Sequence, residues 1–255
     1  MIIEYQRPQS IIEALQLLAR DSPRTYAMGG GTFLNRGRDE RYAVVDLQAL
    51  SLGGLIRSGN QVGVGATTKL QEVCDYPGMP TVIKRSVQLD ATYNLRQMAT
   101  IAGTLVTASG RSAITTVLLA MDTSLELQEL GCDPRQVKLG DWLPMRSQAK
   151  LGWLITRISF PINIKTSFES IARTPADQPI VCVAVMQWKS GRTRLALGGW
   201  GDAPMLAMDG PEPDGIEIAA INAYSHAEDQ WGSAEYRQEM AGVLATRCLQ
   251  QVDQQ

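Results

Sequence analysis

The chain has 255 residues, 44% of them hydrophobic, enough for a well-buried core and for two domains or one with appended subdomains. Its 24 basic and 26 acidic residues leave a formal charge of −2, which carries no electrostatic footprint for nucleic acid and no basic run for a membrane surface. The four cysteines, Cys74, Cys132, Cys182 and Cys248, stand far apart without a Cys-x-x-Cys pair. That spacing argues against a metal or iron–sulfur site within the chain and against a disulfide scaffold, and for reduced thiols in the cytoplasm.

The opening residues Met1 to Gln6 predict a strand and lack the basic and apolar regions of a signal peptide. Nowhere does an apolar run approach the roughly 18 residues needed to span a bilayer. Ile11, Leu15 and Leu18 have helical spacing, with Ser10 as N-cap and Glu13 as its capping-box partner. A strand then runs from Arg24 into Gly29-Gly30-Gly31, and Tyr42 to Asp46 reads as a buried strand of the parallel-sheet kind. Residues 58–73 predict a turn, a strand and a short helix. Residues 94–110 are rich in small side chains and show no clear period. A helix over Ser112–Met121 follows, then a strand over Ser124–Leu130 and another ending at Pro161. Residues 179–199 predict a hairpin turning at Lys189-Ser190-Gly191. The Pro/Gly/Asp-rich stretch 201–215 reads as a surface loop. The last predicted helix carries the stripe Tyr236, Met240, Val243, Leu244 and Cys248. A boundary is expected close to residue 165.

Few residues suggest acid–base chemistry. His226 is the only histidine and reads as an exposed loop residue beside Glu228 and Asp229; that acidic pair, like Asp39-Glu40, reads as solvated surface. The five tryptophans are scattered and read as packing residues. No catalytic or metal-ligating set emerges. The glycine segments are more informative. Gly29 to Gly31 fail the Walker A pattern, because Thr32 and Phe33 follow where Lys-Ser/Thr is needed. They also fail the dinucleotide fingerprint, where Leu34 takes the place of a Gly or Ala. What remains open is a nest of backbone N–H groups around an anion, or a tight turn. In the second segment Gly103 and Gly110 lie among Thr100, Thr104, Thr107 and Ser109. It reads either as a turn and strand of a small-residue core or as a close approach to a ligand with hydroxyl donors. Two such loops can clasp a pyrophosphate from both sides. Glycine loops with few acid–base groups suit a protein whose cofactor carries the chemistry.

With both segments in view, the chain resembles the FAD-binding (medium) subunit of the molybdenum hydroxylases, the family of carbon monoxide dehydrogenase and xanthine dehydrogenase with a PCMH-type FAD domain. Met28-Gly29-Gly30-Gly31-Thr32-Phe33-Leu34 is similar to the family's Ala-Gly-Gly-Thr-Asp-Leu. Residues 95–109 resemble Ile-Arg-Asn-x-x-Thr-Ile-Gly-Gly-Asn-Leu-x-x-Ala-Ser, and residues 172–181 and 233–249 resemble the family's C-terminal domain. The resemblance implies an α+β fold: a PCMH-type FAD-binding domain over residues 1–165, of two α/β subdomains (about 1–55 and 56–165). A C-terminal domain over residues 166–255, with a three-stranded antiparallel sheet and helices, would follow. It implies an oxidoreductase subunit that carries FAD and passes electrons from an iron–sulfur small subunit to an acceptor such as NAD. Molybdopterin would lie on a large subunit, and both kinds of metal centre on those partners only.

Carried over by position, Met28, Gly29, Gly30, Gly31, Thr32, Phe33 and Leu34 would wrap the FAD pyrophosphate. Thr100, Ile101, Ala102, Gly103 and Thr104, with Thr107, would form the second clasp. Leu154 would pack near the flavin or adenine. The chain departs from the family at Phe33 (commonly Asp), Ala102 (Gly), Thr104 (Asn), Ala113 (an Asp near the flavin) and Ser170 (often Lys). A change that removes a polar side chain is expected to cost a hydrogen bond of about 0.5–1.5 kcal/mol. The alternative reading is therefore a family member with lost or weakened FAD binding, acting as a structural or assembly subunit.

Overall fold

The computed structural model describes residues 1–34, 40–146 and 151–255; Asp39 lies outside them. Contacts group the chain into two compact units, each discontinuous in sequence: residues 1–76, 93–107 and 124–159, and residues 77–92, 108–123 and 160–255. The architecture is α+β.

The first unit opens with β1 (Ile2–Gln6), α1 (Ile11–Leu18), β2 (Thr25–Met28) and β3 (Tyr42–Asp46). The strands form a parallel sheet in the order β1-β3-β2, so β3 is central and all five of its residues are buried. Helix α1 starts where Ser10 Oγ accepts from the Glu13 N–H at 3.2 Å. Glu13 closes the return bond on the N–H of Gln9 at 2.9 Å, one residue before the expected capping-box partner. Its buried face, Ala14, Leu15 and Leu18, packs with Val45, Leu47, Leu50 and Leu154.

The same unit continues through β4 (Leu55–Ser58), β5 (Gln61–Gly65), α2 (Leu70–Asp75), α4 (Tyr93–Arg96), α5 (Ile101–Val106), β6 (Ser124–Glu129), β7 (Arg135–Lys138), α7 (Leu139–Met145) and β8 (Trp153–Pro161). The strands make a five-stranded sheet in the order β4-β5-β8-β6-β7. The aperiodic small-residue segment is helical at its centre rather than extended. Thr100 caps it, its Oγ1 accepting from Gly103 N at 3.3 Å, and local capping outweighs weak helix propensity.

The second unit contains α3 (Thr81–Asp90), α6 (Ala113–Ala120), β9 (Lys165–Ile171), β10 (Val181–Gln187), β11 (Thr193–Gly198), β12 (Met205–Gly210), α8 (Ile216–Ala223) and α9 (Ala234–Asp253). Its antiparallel sheet, ordered β12-β11-β10-β9, has four strands where three were expected. The extra strand comes from the stretch 201–215 expected to be a surface loop, and helix α8, which was not anticipated, follows directly after it. The apolar run Met205-Leu206-Ala207-Met208 is flanked by Pro204, Pro211 and Pro213, whose effect on average composition hides it. All eight residues of α6 are buried.

Helix α9 buries Arg237, Ala241, Leu244, Ala245, Cys248 and Val252, while Tyr236 and Val243 are exposed. The buried face is turned from the expected stripe because it is built of small residues and one arginine. That arginine is fully buried. Arg237 donates to the carbonyls of Ala227 (2.6 Å), Gly232 (2.7 Å), Ile180 (3.2 Å) and Gly199 (3.5 Å), and to Asp229 Oδ1 (2.7 Å). Asp229, expected as plain solvated surface, is thus a structural partner. Partial desolvation acts to raise its pKa, but the Arg237 bond and the N–H groups of Trp231 and Gly232 hold it below the ordinary value. His226 lies exposed in the turn after α8, as expected.

Helices α3 and α6 are joined through Asp90, which accepts from Ser112 Oγ (2.6 Å), Ala113 N (2.7 Å) and Ile114 N (3.2 Å). Burial pushes its carboxyl up from 3.8 to about 6, against the opposing pull of those three bonds. A folded-state pKa above the unfolded one contributes stability that is complete below 3.8 and lost as pH rises through about 6. The difference corresponds to about 3 kcal/mol. Urea unfolding of the wild type between pH 4 and pH 7, compared with Asp90→Asn, is expected to show a fall of that size in the wild type that the variant lacks. Equal slopes in the two proteins would refute the assignment.

Candidate functional site

The candidate site is a cavity of about 490 Å³ whose lining lies wholly in the first unit. That size is ordinary for a cofactor pocket. Strand β2 delivers the chain into Gly29-Gly30-Gly31, and Gln48 Nε2 holds the loop's entry by donating to the Gly29 carbonyl at 2.9 Å. Tyr42 hydroxyl holds its exit by donating to the Leu34 carbonyl at 3.0 Å.

The glycines are required by close approach. A Cβ on Gly30 would lie 1.8 Å from the Met98 carbonyl oxygen, and one on Gly29 would lie 2.5 Å from Thr100 Oγ1. Gly31 has φ +70°, the left-handed region that favours glycine. The glycine loop therefore lies directly against residues 98–100, the entry to α5. Among the described residues none accepts a hydrogen bond from the backbone N–H of Gly30, Gly31 or Thr32. Those donors are without a partner among the described residues, as an anion nest requires.

The second wall is built differently. Ile101 N donates to Thr68 O (2.9 Å), Ala102 N to Ala66 O (3.3 Å), and Thr104 N to Thr100 O (2.9 Å). Gly103 N is taken by Thr100 Oγ1. The hydroxyls of Thr104 and Thr107 donate to the carbonyls of Thr100 (2.9 Å) and Gly103 (2.8 Å). They present acceptor lone pairs rather than the donors expected from the sequence. The second segment thus offers a small, close surface, and the glycine loop offers the free N–H groups.

Met28, Gly29, Gly30, Gly31, Thr32, Phe33 and Leu34 all line the cavity, with Thr100, Ala102, Gly103, Thr104, Thr107 and Leu154. Two expected site residues do not. Ile101 points into the core, 1% exposed, because it lies on the inner face of α5. Ala113 is fully buried in the second unit, its N–H bound by Asp90 at the start of α6, and does not line the cavity.

Sequence reasoning missed Arg24, Tyr26, Arg146 and Trp153 in the lining. Trp153 combines lining with packing, meeting Trp142 edge-on at 5.7 Å. Leu47, Leu154 and Ile155 make part of the wall apolar, and α1 contributes Leu18. Among the described lining residues two are arginines and none is Asp or Glu. An anionic ligand with an apolar portion suits this combination of free amides, cations and aliphatic wall.

Comparison with known proteins identifies the family and the fold. A family model described as the FAD binding domain in molybdopterin dehydrogenase matches residues 1–163. The uncharacterized protein YgfM of Escherichia coli (strain K12) is 26% identical over 251 residues, 96% of this chain and 94% of that protein. The carbon monoxide dehydrogenase medium chain of Afipia carboxidovorans is 25% identical over 276 residues, covering 97% and 95%. Among solved structures, a Cu,Mo-CO dehydrogenase chain superposes with a TM-score of 0.82 at 22% identity, over 99% of this chain and 98% of that one. Quinoline 2-oxidoreductase from Pseudomonas putida 86 gives 0.79 at 21%, over 98% and 96%. These two structures share the fold. With the family model covering most of its length, the chain belongs to the family of FAD-binding subunits of the molybdopterin dehydrogenases.

Proposed function

We propose that the chain holds FAD in the cavity of its first unit and passes electrons from an iron–sulfur subunit through the flavin to an acceptor such as NAD. Membership of the family makes it an oxidoreductase subunit with FAD as cofactor. The observation that carries the placement is the set of N–H groups at Gly30, Gly31 and Thr32 that have no partner among the described residues, in a cavity whose described lining holds two arginines and no carboxylate. Those amides would hold the pyrophosphate, while Thr100, Ala102, Gly103, Thr104 and Thr107 approach its other side. Leu154, Leu18 and Leu47 would cover a ring system and exclude water. FAD bound there supplies a group that accepts electrons in pairs and releases them singly or in pairs.

Among the described residues no three His, Cys, Asp or Glu side chains gather into a metal site. Relatives that are medium chains of carbon monoxide dehydrogenase support placing iron–sulfur clusters and molybdopterin on separate small and large subunits. Among the described residues no helix is long and apolar enough to cross a membrane. Four free cysteines, three of them buried, support a reducing, cytoplasmic setting. The family model's end at residue 163 supports a sequence-domain boundary near residue 165, with residues 166–255 as a C-terminal domain.

The internally satisfied amides of residues 101–104 favour a second reading, a subunit whose hold on FAD is loosened and whose role is structural. A visible absorption spectrum after incubation with FAD and desalting separates the two. A retained flavin band, released as FAD on denaturation, is expected. Purified protein that stays colourless after this treatment would favour the structural reading and refute the first.

A further inference from the structure

The cavity is cationic in a chain that is not: its only charged lining residues among those described are Arg24 and Arg146, whereas acidic residues outnumber basic ones over the whole sequence. Arg24 immediately precedes β2. Its guanidinium lies over the Tyr26 ring, 5.4 Å from the centroid, so the side chain runs along the strand in the direction of the glycine loop. Tyr26 is itself fixed, its hydroxyl donating to Glu40 Oε1 at 2.7 Å and its ring meeting Tyr42 edge-on at 5.5 Å.

Among the described residues the Arg24 guanidinium has no hydrogen-bond or ion-pair partner. A guanidinium resting on an aromatic face keeps its N–H fork available, and ordering it on a ligand costs little rotamer freedom. Several other arginines of the chain are committed to protein acceptors. Arg20 pairs with Glu4 at 2.9 Å, Arg194 with Asp122 at 2.6 Å, and Arg237 with Asp229 at 2.7 Å. Arg24 is distinguished by a cavity-lining position without such a partner.

We propose that Arg24, assisted by Arg146, supplies the counter-charge by which this cavity selects a nucleoside diphosphate, the ADP half of FAD, over uncharged flavin. The inference rests on the reading of the cavity as the FAD site. It adds a residue-level source of selectivity that lies outside the glycine segments. The glycine-loop amides orient the diphosphate, and the arginines set the potential that attracts it. Charge attraction of this kind weakens with ionic strength, because Arg24 is exposed to solvent.

Isothermal titration of the full chain with FAD, ADP and riboflavin, each at low and high salt, tests it in the wild type, Arg24→Gln and Arg24→Lys. Circular dichroism of each variant checks that the fold is retained. FAD and ADP are expected to bind with salt-sensitive affinity and riboflavin about 100-fold more weakly or less. Arg24→Gln is expected to weaken FAD and ADP about tenfold, with a shallower salt dependence and no change for riboflavin. Arg24→Lys should keep most of the salt dependence. Unchanged FAD affinity and salt dependence in Arg24→Gln overturns the inference and leaves the FAD reading standing. Binding of ADP without FAD, weakened in Arg24→Gln, overturns the FAD reading and supports charge selection by Arg24. Binding of neither ligand overturns both.

Discussion

Replacing Gly30 by alanine is expected to lower FAD affinity at least about 100-fold and to cost about 1–3 kcal/mol of stability. The added Cβ would sit 1.8 Å from the Met98 carbonyl oxygen and 2.6 Å from its carbon, both backbone atoms that no rotamer change can remove. The glycine loop must therefore move away from residues 98–100, and the amides of Gly30, Gly31 and Thr32 move with it. Gly59→Ala is the matched control. It has φ +59° with open space around it. Backbone strain there should cost about 1–2 kcal/mol while FAD binding is unchanged. Fluorescence-quenching titration of FAD, with urea unfolding on the same samples, separates the effects. Normal flavin affinity in Gly30→Ala would refute the role given to the loop.

The second large effect is expected at Arg237. Arg237→Met removes the donor shared by four carbonyls and Asp229, and leaves acceptors in the core without partners. The cost is expected at about 3–5 kcal/mol, a fall of about 10 °C in Tm for a chain of this size. Arg237→Lys keeps the charge but lacks the planar fork that reaches several carbonyls, and should recover only part of the loss. Differential scanning calorimetry of the three proteins measures this. A methionine variant melting within a degree or two of wild type would show that the network contributes little.

Legibility of the fold from sequence followed the range of the interactions. Ser10 and Glu13 announced α1 because a cap is a contact between residues three or four apart. The turn at Lys189-Ser190-Gly191 was legible for the same reason, with Gly191 at φ +93° in the place that demands it. Strand β12 was missed because its apolar residues are few and its pairing with β11 is a tertiary fact. The buried face of α9 was misjudged because Arg237 satisfies its charge through partners at residues 180, 199, 227, 229 and 232, which no periodicity exposes.

The site divided in the same way. Three consecutive glycines signalled a loop with unusual backbone demands, and that loop does line the cavity. Whether the N–H groups of residues 101–104 were available depended on Ala66 and Thr68, a distant segment that satisfies two of them. Arg24 carried no motif. Its significance comes from its place in the cavity lining, where no Asp or Glu stands among the described residues, and that becomes visible only in three dimensions.

The interleaving of the two units bears on how the chain can be cut and made. Residues 1–163, the span of the family match, include α3 and α6. Both helices belong to the unit completed by β9–β12, α8 and α9. In a nascent chain that has emerged only that far, helix α6, with its buried Ile114, Val117, Leu118 and Leu119, still awaits the strands β10 and β11 it packs against. A fragment ending there would keep an oily helix exposed and invite aggregation. Production of the flavin-binding part in isolation therefore calls for the whole chain, or for new polar residues on α6.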